Sequence, residues 1–219
     1  FEDLAKCLEH ADDFPVGDAK PGRKKGRITL KEIAAVTIDG EEIAVYKSPN
    51  QFLLREEKTI TCADLLARHP APDCCTMNLQ SRLKLKEKES YRRDIDAASL
   101  FKGLARRIIP LAYLYNGIDI ARFDPLTAAP PSWLANVNVK ADLLWDRAVR
   151  YSNKQKKTIA FSGYLGKIRV SGNLEPLWPL LLLGEWVHLG KNATFGLGHY
   201  RLEGVEGVGR ANGGEVSSK

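Results

Sequence analysis

The feature that most constrains the fold is the order in which two hydrophobic periodicities alternate between residues 79 and 203. A period of two residues predicts strands, and a period of about 3.6 residues predicts helices. These periods predict, in order, strand Leu79–Lys86, a helix that begins at Asp94 or Asp96, strands Val137–Trp145 and Thr158–Val170, helix Glu175–Leu189 and strand His199–Glu203. This is the βαββαβ order of a ferredoxin-like domain, an α+β fold.

The first 75 residues are less regular, but they repeat part of that order. Here the sequence predicts helix Phe1–Ala11, a glycine-rich basic loop Gly17–Gly26, strands Arg27–Ile38 and Glu41–Tyr46, and a short helix over Thr61–Arg68 capped by Thr61. We therefore expect residues 1–76 to be the C-terminal part of a first ferredoxin-like domain that is incomplete at its N-terminus. Residues 77–204 would form the second such domain, and residues 205–219 a flexible tail.

Composition narrows the class of protein. The 219 residues are 44% hydrophobic and 27% charged, as in globular proteins, and the net charge of +6 favours an anionic partner. Four cysteines without a C-x-x-C motif indicate neither a zinc site nor a disulfide framework, and they suit a reducing, cytoplasmic compartment. No apolar run approaches the roughly 20 residues that span a bilayer, so we expect no membrane contact.

The segment Gly190–Gly198 joins the last predicted helix to the last strand. Its three glycines would let backbone amides face an anion such as a phosphate, although they could equally well end the helix and turn the chain. The spacing matches neither a Walker motif nor a dinucleotide fingerprint, which disfavours a nucleotide cofactor. No residues have metal-ligand spacing, and we expect neither a metal nor another cofactor.

Basic residues cluster at two further places. Arg82, Lys84 and Lys86 would share one face of the first strand, which is either an RNA-contacting or simply a solvated face. The turn Arg150–Lys157 lies at the tip of a predicted long hairpin. Its cations and polar groups suit insertion along an RNA groove, and the alternative is a solvated charged turn.

The run Leu174–Tyr200, which contains L-G-E-W-V-H-L-G-K-N-A-T-F-G-L-G-H-Y, closely resembles the C-terminal signature of the CRISPR repeat-cleaving endoribonucleases of the RAMP superfamily. Arg150–Lys156 and, less sharply, Leu83–Lys88 resemble motifs of the same family. The resemblance covers about residues 79–203. It implies tandem ferredoxin-like domains with glycine-rich loops, and metal-independent attack of a ribose 2′-hydroxyl on the adjacent phosphate to leave a cyclic phosphate.

Such chemistry needs a base, an acid and a cation at the phosphorane. His188, with Lys191 three residues later, is the first catalytic candidate, although its helical spacing would also suit a core histidine; His199 is a weaker candidate. The resemblance also implies that many relatives carry their histidine in the first domain. The predicted RNA-binding residues are Arg82, Lys84, Lys86, Arg150, Tyr151, Asn153, Lys154, Lys156, Gly190, Lys191, Phe195, Gly196 and Gly198.

The resemblance implies CRISPR repeat RNA as the partner, together with other CRISPR-associated proteins or a second copy of the chain. Three functions remain open at this point. The chain could cleave repeat RNA, hold guide RNA as a non-catalytic subunit of an interference complex, or be an interaction module whose basic surface is incidental.

Overall fold

The described part of the chain forms two compact units. The computed structural model describes residues 31–37, 41–47, 51–52, 60–87, 90–91, 94–117, 119, 129–152 and 156–204. Within that part, the first unit ends at Ile60 and the second begins at Thr61. The predicted domain boundary between residues 76 and 77 therefore runs through a strand of the second unit, Cys74–Leu79.

The first unit contributes an antiparallel sheet in the order β1-β2-β3. Its strands are β1 (Glu32–Val36), β2 (Glu42–Lys47) and β3 (Gln51–Phe52). Strands β1 and β2 overlap the two strands predicted here, and Tyr46 of β2 is buried. The predicted helix Phe1–Ala11, the basic loop after it and the tail 205–219 lie outside the described residues. The ferredoxin-like assignment of this unit stays a prediction.

The second unit carries the predicted βαββαβ order. Its elements are α1 (Cys62–Arg68), β4 (Cys74–Leu79), β5 (Lys86–Glu87), β6 (Ser90–Tyr91), α2 (Ala97–Asn116), β7 (Val137–Asp146), β8 (Val149–Ser152), β9 (Lys157–Ala160), β10 (Gly163–Gly172), α3 (Trp178–Val187) and β11 (Tyr200–Glu203), with 3₁₀ turns at Ser132–Asn136 and Ala193–Phe195. The main sheet has the antiparallel order β11-β4-β10-β7. This is a ferredoxin-like sheet, which confirms the predicted fold class.

Both predicted capping residues begin helices. The Thr61 hydroxyl accepts a hydrogen bond from the Asp64 amide at the start of α1. Asp96, rather than Asp94, caps α2 and accepts a hydrogen bond of 2.7 Å from the Ser99 amide. Each cap satisfies a backbone donor that has no partner within its helix.

The hydrophobic core lies between one face of the main sheet and helices α2 and α3. Leu202, Met77 and Ile168 stand side by side on β11, β4 and β10, and all three are buried. The Tyr200 hydroxyl donates a hydrogen bond of 2.6 Å to the carbonyl of Leu181 in α3. The inward-facing side chains of the strands and the apolar faces of the two helices therefore form one buried apolar layer.

The first predicted strand, Leu79–Lys86, was wrong in position. The sheet strand is β4, because Cys75, Met77 and Leu79 alternate into the core. After β4 the chain turns, and the amide of Ser81 donates to the carbonyl of His199. The later alternation of leucines reflects a single bridge between Leu83 and Tyr164.

The last predicted helix, Glu175–Leu189, was too long at both ends. Residues before Trp178 form a turn in which the Leu177 amide donates to the Leu174 carbonyl. Helix α3 ends at Val187, because His188 has a positive φ of 65°. A residue in that conformation cannot continue a right-handed helix.

The predicted long hairpin is confirmed. Strands β7 and β10 pair along their whole lengths, and beyond them β8 pairs with β9 in a separate two-stranded sheet. The predicted basic segment at the tip, Arg150–Lys157, begins in β8 and ends in β9. Among the described residues, no helix combines the length and the apolarity needed to cross a lipid bilayer.

Candidate nucleic-acid interface

The segment Arg82–Lys84 holds the glycine-rich loop in place. On one side, Leu83 exchanges two backbone hydrogen bonds with Tyr164 of β10, with N–O distances of 2.8 and 2.9 Å. On the other side, the first carbonyl of the segment accepts from the amide of Gly198, and the last accepts from the amide of Lys191. The loop is thereby fixed to the edge of the long hairpin.

Glycines are required where this loop makes its closest approaches. Gly190 and Gly198 both have positive φ values, 85° and 73°. A Cβ on Gly190 would clash with the carbonyl oxygen of Lys84, and one on Gly198 would clash with that of Leu189. Close backbone packing, as well as turning, explains these two glycines.

Only part of the loop is available as the amide cradle that its glycines suggested. Five of the nine amides between residues 190 and 198 donate to protein carbonyls, those of Lys191, Phe195, Gly196, Leu197 and Gly198. Side chains also face solvent, with Lys191 exposed and Phe195 58% exposed. The loop therefore offers an anion both exposed side chains and its remaining amides.

Two histidines meet at the base of the loop. The rings of His188 and His199 stack with their centroids 4.9 Å apart and their planes 23° from parallel. Both side chains are half-buried. The Ser81 hydroxyl fixes this region, since it accepts from the His199 amide and donates to the Gly196 carbonyl, each at 2.8 Å. His188 is thus neither a helical nor a fully buried core residue.

The surroundings keep both imidazoles neutral. Burial lowers the pKa of His188, and the nearby Arg107 cation lowers it further, while backbone groups of the loop partly oppose the shift. Burial likewise lowers the pKa of His199, with added repulsion from His188 and Arg201. Near pH 7 both rings can therefore accept a proton.

Arg107 reaches this site from helix α2. Its Nε donates a hydrogen bond of 2.9 Å to the carbonyl of Val187, the last residue of α3. This bond satisfies a carbonyl at the helix terminus and holds a guanidinium beside His188. Arg107 was not among the predicted site residues, although its spacing of three residues from Leu104 places it beside the apolar face of the helix.

The hairpin and the glycine-rich loop meet through Arg150 and Phe195. The Arg150 Cζ lies 4.9 Å from the centroid of the Phe195 ring and 5.6 Å from that of Phe161. The two phenylalanine rings make an edge contact with their centroids 5.6 Å apart. Two segments that the sequence predicted separately as RNA-binding therefore form one continuous surface.

Comparison with known proteins assigns the chain to a family. The family model for the CRISPR-associated endoribonuclease Cas6 matches residues 77–200, which is more than half of the chain. The chain belongs to the Cas6 family. The resemblance noted in the sequence is thus confirmed. No curated protein matches the sequence.

Several solved Cas6 structures are similar to this chain. One is a Cas6 from Thermus thermophilus, with 14% identity over 65% of this chain and 58% of that one and a TM-score of 0.45. A Cas6 product complex matches with 18% identity over 66% and 58% and a TM-score of 0.41. A partial Cas6-RT-Cas1–Cas2 complex matches with 21% identity over 61% and 23% and a TM-score of 0.42. This chain spans less than two-thirds of each.

Two predicted basic residues of this Cas6-family chain lie differently from the expected strand face. Lys84 is buried, and its Nζ donates a hydrogen bond of 3.1 Å to the carbonyl of Ala160. The Arg82 Nε forms a 2.6 Å ion pair with Asp146 at the end of β7. Both side chains therefore bond to the hairpin. They do not share a strand face, because the predicted strand over these residues does not form.

The other predicted hairpin residues are placed as follows. Tyr151 is 55% exposed, and Lys156 is exposed with a φ of 51°. The backbone of Lys86 lies in β5, while its side chain lies outside the described part of the structure. Asn153 and Lys154 also lie outside it.

Proposed function

We propose that this chain binds CRISPR repeat precursor RNA and cleaves it by metal-independent attack of a ribose 2′-hydroxyl, which generates guide RNAs. The observation that carries this proposal is the stacked pair of His188 and His199 beside a surface that joins the basic hairpin to the glycine-rich loop. Membership of the Cas6 family supports an endoribonuclease. The geometry supports three contributions to this chemistry, which are proton transfer, electrostatic stabilisation and positioning of the RNA.

The first contribution is proton transfer. The 2′-oxygen forms a bond to phosphorus as its proton passes to one neutral imidazole, and His188 is our candidate for this base. The bond from phosphorus to the 5′-oxygen breaks, and that oxygen takes a proton from an acid. Cleavage leaves a 2′,3′-cyclic phosphate and a 5′-hydroxyl.

The stacked arrangement suits a division of labour between base and acid. A proton on one ring disfavours a proton on the other, because the centroids are only 4.9 Å apart. The pair therefore holds at most one proton, and in that singly protonated form one ring would act as base and the other as acid. His199 would then be the partner of His188 in catalysis.

The second contribution is electrostatic stabilisation by cations near the histidine pair. Lys191 is exposed on the loop that follows His188 and is our candidate for stabilising the charge on the phosphorane. Arg107 stays bonded to Val187 and serves as a positioning residue.

The third contribution is positioning of the RNA before cleavage. Arg150, Tyr151 and Lys156 project from the hairpin, where they can contact phosphates and 2′-hydroxyls. The loop carries Lys191 and Phe195 towards the same region. Asn153 and Lys154 complete the proposed hairpin contacts, while Gly190 and Gly198 keep the loop close to the hairpin.

A non-catalytic RNA-binding subunit is the second candidate function. The observation that favours it is the His188 Nδ1 atom, which is enclosed and has no hydrogen-bond partner among the described residues. An enclosed ring nitrogen would have limited access to a 2′-hydroxyl. The RNA contacts proposed above would serve either function.

Single-turnover cleavage separates the two functions. The chain is incubated with end-labelled CRISPR repeat RNA from the genome that encodes it, in the presence of EDTA. We expect one defined cut whose product ends in a cyclic phosphate, and no cut when the nucleotide at that position is 2′-deoxy. Binding without cleavage would leave the subunit function, and cleavage that EDTA abolishes would contradict metal independence.

A further inference from the structure

We infer that Phe195 is a stacking platform for one unpaired base of the bound RNA, with the Arg150 guanidinium covering the opposite face of its ring. The inference rests on the proposed RNA binding and adds to it a specific contact with a base. It is argued from how the ring is presented, from what covers it and from the charge around it.

The backbone holds the Phe195 ring out from the loop. The ring ends a 3₁₀ turn that lies between Asn192 and Gly196, which have positive φ values of 65° and 82°. The amide of Phe195 donates to the carbonyl of Asn192 at 2.9 Å, and the Ser81 hydroxyl holds the Gly196 carbonyl. A ring fixed in this way loses little conformational entropy when it binds a base.

The ring is covered on part of its surface and open on the rest. Arg150 lies over it at 4.9 Å, and Phe161 contacts it edge to face. Nevertheless 58% of the residue is exposed, and a Cβ placed on the neighbouring Gly196 would meet no described atom within 4 Å. In the described part of the structure, open space therefore adjoins this aromatic surface.

The charge around the ring favours RNA over an apolar protein partner. Arg150 lies over the ring, and Lys191 is exposed four residues earlier in the same loop; both carry positive charge. A nucleotide combines a flat aromatic base with a phosphate, so it matches an aromatic ring flanked by cations. A guanidinium over the far face strengthens such a stack through a cation–π contact.

The central experiment is a cycle between one protein substitution and one RNA modification. Phe195→Leu removes the aromatic ring but keeps an apolar side chain, and each repeat nucleotide in turn is replaced by an abasic one. We expect Phe195→Leu to weaken binding by about five- to a hundred-fold, the range for loss of one aromatic stack. At one position, the abasic RNA should cause a similar loss in the native chain and no further loss in Phe195→Leu.

Matched variants isolate the aromatic contact. Phe195→Tyr should bind nearly as well as the native chain, and Tyr115→Leu should bind unchanged, since Tyr115 is an 81% exposed aromatic at the end of α2. Phe195→Leu should leave the salt dependence of binding unchanged, because it removes no phosphate contact. Photocrosslinking of the native chain to 5-iodouracil at the same position should label Phe195, which tests the contact without any variant.

The outcomes distinguish this inference from the proposed function. Normal RNA binding by Phe195→Leu, or additive losses at every abasic position, would overturn the stacking platform and leave RNA binding intact. Failure of the native chain to bind the RNA at all would overturn both. Crosslinking of Phe195 together with a non-additive loss at one position would establish the base contact.

Discussion

The imidazole rings of His188 and His199 stack with their centroids 4.9 Å apart, although one residue follows a helix and the other precedes a strand. The carbonyl of Gly198 accepts a hydrogen bond from the amide of Leu189, which closes the loop between them. The loop thereby brings two imidazole rings together. Their proximity leads to the first prediction.

His188→Ala and His199→Ala should each slow single-turnover cleavage by about 10²- to 10⁴-fold, the usual contribution of a general acid or base. RNA affinity should change little, because neither neutral ring neutralises a phosphate. The double variant should be little slower than the slower single variant, since both groups act in one transition state. Cleavage at the native rate in His188→Ala would remove that residue from the reaction.

The free energy of unfolding should decrease as the pH falls below about 6.5. The pKa values of His188 and His199 are lowered from 6.5 in the folded chain, so the unfolded chain binds more protons in this range. The stability contributed by the two neutral histidines is complete above their pKa in the unfolded chain. It is lost as the pH falls through their pKa values in the folded chain. Urea unfolding between about pH 7.5 and pH 5.5 measures this loss.

Arg107→Gln should raise the pKa of His188 towards its ordinary value, because it removes a cation that disfavours protonation. The variant should therefore lose less stability on acidification than the native chain. An NMR titration of the histidine ring protons measures the pKa directly. Arg106→Gln is the matched control, since Arg106 is exposed beside it; an equal shift in both variants would contradict a local effect.

Lys156→Asn should weaken RNA binding and reduce the slope of log affinity against log salt by roughly 0.7 to 0.9, the value for one lost phosphate contact. Asparagine suits the positive φ at this position, so the turn should keep its shape. Lys156→Arg keeps the charge and should keep the slope. Filter binding over a range of salt concentrations gives both values, and an unchanged slope in Lys156→Asn would place this side chain away from the backbone of the RNA.

Two glycines of the loop should differ in their tolerance of alanine. Gly196→Ala should cost about 1 kcal/mol, since its φ is positive but no described atom lies within 4 Å of the added Cβ. Gly198→Ala should cost about 3 kcal/mol, because a Cβ there would also clash with the carbonyl of Leu189. Urea unfolding of the two variants compares them, and equal losses would show that backbone strain alone accounts for both.

Local signals predicted several parts of the structure correctly. Thr61 and Asp96 begin helices because their side chains bond to nearby amides, which depends on sequence neighbours alone. The position of the first sheet strand was missed, because the alternation of Leu83 and Leu85 came from a bridge at Leu83 and from the burial of both side chains outside the main sheet. Periodicity reports that a side chain is buried, and it does not report what buries it.

By itself, the sequence determined the order of strands and helices, the long hairpin and the motifs of the Cas6 family, since these depend on residues close together in the chain. Only the tertiary structure decided that Lys84 is buried, that Arg150 covers Phe195 and that Arg107 lies beside His188. Each of these contacts joins segments that are distant in sequence. They form when the sheet closes and the loop packs against it, and no local pattern encodes that closure.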